Sequence, residues 1–101
     1  MNQFGDRIKE LREQKGLLQK HVANKLDIDT PMLSKIERGE RPARKEHVPV
    51  LARLFDVPVE ELISLWLAGK VYRIVKNEKT ALQAMHVAQE EIKSKTKRKK
   101  K

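Results

Sequence analysis

The side chains able to do covalent or acid–base chemistry in this sequence are few and scattered. His21, His47 and His86 lie far apart in the chain, and cysteine is absent, so neither a metal centre nor a thiol nucleophile is expected. Ser34 has no nucleophile-elbow sequence around it and no paired histidine. Glu60-Glu61 and Glu90-Glu91 fall at a helix start and on a solvated helix face, and neither makes an opposed catalytic pair. The four glycines are dispersed and build no phosphate-cradling loop. No enzymatic activity and no cofactor is expected. Recognition chemistry remains. Thr30, Pro31, Met32, Ser34 and Lys35 sit together on one short helix, and Arg38, Arg41, Arg44 and Lys45 follow directly. Hydroxyls and an ammonium can hydrogen-bond to base edges, Pro31 can offer only an apolar contact, and the cations suit phosphate oxygens.

These groups must be positioned by helices. Phe4, Ile8 and Leu11 recur at spacings of four and three among charged residues, which predicts an amphipathic helix stopped near Gly16. Val22, Ala23 and Leu26 predict a second, shorter helix beginning around Gln19. Asp29 or Thr30 caps a third, with Pro31 in its first turn, Leu33 and Ile36 turned inward, and an end at Gly39. A fourth helix presents Val48, Leu51, Ala52 and Phe55, with Pro49 early in it. A fifth turns Val59, Leu62, Ile63 and Trp66 inward, and Leu65 and Leu67 make it apolar on a second side. Beyond Gly69-Lys70, Val71, Ile74, Val75, Leu82, Met85 and Ile92 outline a long helix interrupted near Asn77. No repeat or strand pattern is evident.

The 101 residues suit one modest core, and with aromatics at only 4% it must be built from aliphatic side chains. The net charge of +9 is unevenly placed. Residues 1–69 carry 12 basic against 11 acidic side chains, whereas residues 93–101, KSKTKRKKK, carry seven basic and no acidic ones. Attraction for a polyanion therefore belongs mostly to the tail, which on composition is expected to be disordered. The charged, periodic opening residues do not read as a signal peptide, and no apolar run approaches a membrane span. A cytoplasmic, nucleoid-associated protein is expected.

Leu17 to Arg41, LLQKHVANKLDIDTPMLSKIERGER, resembles the Xre/Cro family of helix-turn-helix repressors. The resemblance rests on Gln19, Ala23, Ile28 and the run Ser34-Lys35-Ile36-Glu37-Arg38-Gly39, and the surrounding pattern extends it to about Leu67. It implies an all-α, lambda-repressor-like DNA-binding domain of five helices over residues 1–69. A C-terminal helical extension over 70–92 and a Lys-rich tail over 93–101 follow. It also implies that Gln19 contacts phosphate and supports the reading helix, and that Glu37 pairs with Arg7 or Arg12. Asp27 occupies a turn position where the family often has Gly, and tolerates a left-handed backbone less well than Gly but better than most residues.

The expectation is thus a transcriptional regulator, a repressor above all, that reads double-stranded DNA with its third helix in the major groove. Thr30, Pro31, Met32, Ser34 and Lys35 would face bases, and Gln19, Arg38, Arg41, Arg44 and Lys45 would face phosphates. One short recognition helix reads few base pairs, so such proteins usually pair. Leu65, Trp66, Val71, Ile74, Val75, Leu82 and Met85 are the expected homodimer interface, although Trp66 is also the simplest kind of core residue. The rival expectation is an antitoxin or adaptor whose C-terminal helix binds a partner protein.

Overall fold

A computed structural model describes residues 2–99, and among them the apolar periodicity becomes six helices and no strand. They are α1 Gln3–Gln14, α2 Gln19–Lys25, α3 Thr30–Glu37, α4 His47–Phe55, α5 Val59–Val75 and α6 Ala81–Lys99. The chain divides into two compact units, Met1–Lys70 and Val71–Lys101.

In the first unit, α1 to α4 all end the same way. A residue one or two positions past each helix adopts a left-handed backbone: Gly16 with φ 67°, Asp27 with 57°, Gly39 with 77° and Asp56 with 56°. Each end is closed by two crossed hydrogen bonds, for example Ile28 N to Ala23 O at 3.0 Å outside Asp27 N to Asn24 O at 3.1 Å. Val57 N to Ala52 O and Asp56 N to Arg53 O repeat the pattern after α4. This Schellman closure satisfies carbonyls that the helix end would otherwise leave bare. Glycine enters the left-handed region without penalty; at positions 27 and 56 a short-chained Asp does so instead. The starts are capped too. Asp29 accepts from Met32 N at 2.8 Å at the head of α3, and Asn2 Oδ1 accepts from Gly5 N at 3.3 Å at the head of α1.

The core of this unit is mostly aliphatic with three aromatics, Phe4, Phe55 and Trp66. Ile8, Val22, Leu33, Val48, Leu51 and Leu62 are fully buried, with Phe55 and Trp66 beside them. Helix α3 packs against both α1 and α2, and α1 also packs against α4. Gly5 makes the α1–α3 approach possible: a Cβ there would lie 2.6 Å from the backbone oxygens of both Ile36 and Glu37. Asn2 stitches the same junction, donating through Nδ2 to the Glu37 carbonyl at 2.8 Å. Arg7 ties α1 to α5 through Glu61 at 2.6 Å.

Three expectations change. Trp66, expected beside an interface, is buried in its own unit with 7% exposure. Its Nε1 donates to the Ala43 carbonyl at 2.7 Å, so both its apolar ring and its polar edge are satisfied within the unit. Gly69-Lys70 is not a helix end: the two units divide at Lys70, but α5 continues to Val75, and the helix break falls at residues 76–80, around the expected Asn77. Residues 93–99, expected to be disordered, extend α6 to Lys99. Lys and Arg are good helix formers, and cations at a helix C-terminus are favoured by its dipole. Lys100 and Lys101 of that tail lie outside the described residues. In the second unit, Ile74 is 77% and Leu82 84% exposed, and Val71, Met85, Val87 and Ile92 are exposed as well, while Val75 is half-buried.

Candidate nucleic-acid interface

The unit Met1–Lys70 presents α3 as a short helix with one face locked and one face free. The locked face holds Leu33, Ile36 and Glu37, and Glu37 is the one buried charged residue among those described, at 4% exposure. Its carboxylate accepts from Arg12 Nε at 2.7 Å and Arg12 Nη2 at 3.1 Å, and from Gln19 Nε2 at 3.0 Å. Arg12 Nη1 donates in turn to the Leu17 carbonyl at 2.9 Å. One carboxylate thus ties the end of α3 to α1 and to the start of α2. Burial is tolerable because both oxygens are hydrogen-bonded and the guanidinium fork is matched to them. The hydrogen bond to Glu37 raises the Arg12 pKa above its ordinary value, against the opposing effect of burial. Of the two partners expected for Glu37, it takes Arg12; Arg7 is engaged by Glu61 and Glu10.

On the free face, Thr30, Pro31 and Lys35 are exposed and Met32 and Ser34 are half-buried. Gln19 is half-buried, with its amide turned to Glu37. Arg38, Arg41, Arg44 and Lys45 are all exposed. A shallow cleft beside α3 is lined by Asp27, Met32, Arg41, Arg44 and His47, which gathers two of the connector cations next to the turn. Arg38 does not stand free. Its Nε and Nη2 donate to Glu40 at 2.7 and 3.1 Å, and its Nη1 donates to Ser34 Oγ. That pairing raises the Arg38 pKa and lowers that of Glu40. The expected site residues therefore divide. Thr30, Pro31, Ser34 and Lys35 share one face of α3, Met32 packs partly against the core and lines the cleft with Arg41 and Arg44, and Gln19 and Arg38 are engaged within the chain.

A family model described as "Helix-turn-helix" matches residues 8–62. The chain belongs to the helix-turn-helix family. The matched stretch takes in the α2–α3 pair, the left-handed turn at Asp27 and all three members of the Arg12–Glu37–Gln19 cluster. This helix-turn-helix chain is similar to the HTH-type transcriptional regulator DdrOP3 of Deinococcus deserti, 34% identical over 58 residues, 57% of this chain and 45% of that protein. It is also similar to the cryptic phage CTXphi transcriptional repressor RstR of Vibrio cholerae, 33% identical over 61 residues, 60% of this chain and 55% of that protein. The chain spans about half the length of these relatives. No solved structure matches it. No described helix is long and apolar enough to cross a membrane.

Sequence reasoning missed Asn2, Gly5 and Glu40. Asn2 and Gly5 act at a helix crossing whose partner residues lie more than thirty positions away. Glu40 did carry a signal: it stands two residues from Arg38 just past a helix end, where chain reversal can bring them together.

Proposed function

We propose that this helix-turn-helix protein is a sequence-specific double-stranded DNA-binding transcriptional regulator of the nucleoid, acting as a repressor by covering its operator. The observation that carries the reading is the construction of α3. Its inner face is anchored by the Arg12–Glu37–Gln19 cluster, and its outer face carries small hydroxyls and one flexible cation. An α-helix entering a major groove about 12 Å wide needs a slim, polar N-terminal face of this kind. Thr30, Pro31, Met32, Ser34 and Lys35 read bases in this account, and Arg41, Arg44 and Lys45 hold phosphates with Gln19 and Arg38 at the margin. The names of the two relatives, a transcriptional regulator and a transcriptional repressor, support the same reading.

The protein acts as a homodimer on a palindrome, joined through Leu65, Val71, Ile74, Val75, Leu82 and Met85. The large exposures of Ile74 and Leu82 support this, since apolar side chains so open to water favour a partner. The basic residues from Lys93 onward add affinity for any duplex without specifying sequence. Selection of binding sites from random duplex DNA tests the function: recovery of a palindrome with half-sites about one helical turn apart is expected. Recovery of no motif would overturn the reading. Sedimentation of the full chain and of Leu82→Glu/Met85→Glu tests the assembly, with a dimer that dissociates in the variant expected. A second reading, an adaptor or antitoxin using the exposed Leu82, Met85 and Ile92 for another protein, gains ground if the chain sediments as a monomer.

A further inference from the structure

Two exposed acidic side chains, Glu40 and Glu46, lie on the segment that follows α3, and Glu40 is the one paired with a cation placed against DNA. It receives both Nε and Nη2 of Arg38 in a fork, at 2.7 and 3.1 Å, and the charge of Lys35 also acts on it. Arg38, held there, turns its remaining Nη1 to the hydroxyl of Ser34 one helical turn back. A serine oxygen that accepts from a guanidinium keeps its own O–H as donor, so this contact biases Ser34 to donate toward whatever it faces. The Glu40–Arg38 pair is exposed on both sides. Exposed pairs are weak, so a phosphate can take Arg38 away, and Glu40 competes with the nucleic acid without blocking it.

We infer that Glu40 is a specificity-setting residue that acts through Arg38, withholding one cation from phosphate and laying it against Ser34. This rests on the DNA-binding reading above. On any duplex, phosphate must compete with Glu40 for Arg38, so that contact is made only in part and adds less to sequence-independent affinity. Discrimination then depends more on the base-facing surface. Ser34, held as a donor by Arg38, favours a base edge that presents an acceptor, such as guanine O6 or N7, adenine N7 or thymine O4. Glu40 is a positioning residue in this account and touches no base.

The test uses the full-length protein, its selected site and a scrambled duplex, with fluorescence anisotropy from about 50 to 200 mM salt. Glu40→Gln keeps the size of the side chain and removes its charge. Freed Arg38 should take up a phosphate fully, steepening the salt slope on the scrambled duplex by up to about 0.9, or up to roughly threefold more affinity gained per fourfold dilution of salt. Repeating the selection with Glu40→Gln should show relaxed preference at one base position. In an Arg38→Ala background the same substitution should change neither slope nor motif, which separates action through Arg38 from the mere loss of a negative charge. Far-UV melting curves are expected to match, since the pair is exposed. If the wild-type chain selects a site but Glu40→Gln alters neither slope nor motif, this inference fails alone. It also fails alone if the effect survives in Arg38→Ala. If the wild-type chain selects no site, the DNA-binding reading fails and takes this inference with it.

Discussion

Gly5→Ala separates two physical effects of opposite sign. By helix propensity alone the change should stabilise α1, since Ala is preferred to Gly by up to about 1 kcal/mol in a helix. The structure says otherwise. The new Cβ would lie 2.6 Å from two backbone oxygens, those of Ile36 and Glu37, where ordinary contact begins at 3.4 Å. Backbone atoms at the end of α3 cannot rotate aside, so α1 and α3 must separate by roughly the 0.8 Å difference in a close-packed interior. Overpacking of this kind costs about 1–3 kcal/mol. Separation also strains the Asn2 bridge, whose Nδ2 bond to the Glu37 carbonyl contributes about 1 kcal/mol. Less the propensity gain, the expected net loss is about 1–3 kcal/mol, or roughly 5–20 °C in Tm for a domain of this size. Thermal melting followed by far-UV circular dichroism measures it. Gly16→Ala is the control: nothing lies within 4 Å of its Cβ position, so only the left-handed backbone is strained, at about 1–2 kcal/mol. A Gly5→Ala melt equal to or above wild type would refute the close-packing argument.

Glu37→Ala should cost about 3–5 kcal/mol in urea denaturation, because it strands Arg12 with its partner gone in a nearly closed site. Asp27→Gly and Asp56→Gly should each raise stability by up to about 1 kcal/mol by relieving a left-handed non-glycine residue; only the first should also strengthen DNA binding, since Asp27 borders α3. Lys35→Ala should cost about 1–3 kcal/mol on the selected site and relax preference at one base pair; an equal loss on scrambled DNA would make Lys35 a phosphate contact. The Arg38 hydrogen bond lowers the Glu40 pKa from its ordinary 4.5. The pair is therefore intact above that value and is lost only as pH falls through the lower folded pKa. An NMR titration of the Glu40 carboxyl should show a depressed midpoint that returns toward the ordinary value in Arg38→Ala.

Much of the fold was legible from local pattern. The spacing of Phe4, Ile8 and Leu11, the Asp29 cap before Pro31, and the stops at Gly16 and Gly39 are each written within a few residues. The helices they specify form where expected. The family resemblance was legible for the same reason: two helices joined by a turn impose residue types at fixed short spacings from Gln19 to Gly39. Where local reasoning erred, it applied a whole-segment rule against a residue-level one. Low apolar content argued for disorder over residues 93–101, whereas the helix propensity of Lys and Arg carries α6 to Lys99.

Periodicity and capping, which act over one or two turns, set the helices, the apolar stripe that α1 to α5 bury, and the outward set of Thr30, Ser34 and Lys35. What the polar residues do depends on how the helices pack. Glu37 could have been an ordinary exposed acid, and becomes a buried clasp because α1 and α2 deliver Arg12 and Gln19 to it. Trp66 could have served an interface, and is turned inward because Ala43 offers a carbonyl to its N–H. Arg38 could have been a free cation, and is held by Glu40 because the chain reverses at Gly39. The partner arrives by chain folding: a short-range signal existed for Glu40 beside Arg38 and the family resemblance narrowed Glu37 to Arg7 or Arg12, but which group is engaged depends on what packing brings within hydrogen-bond reach.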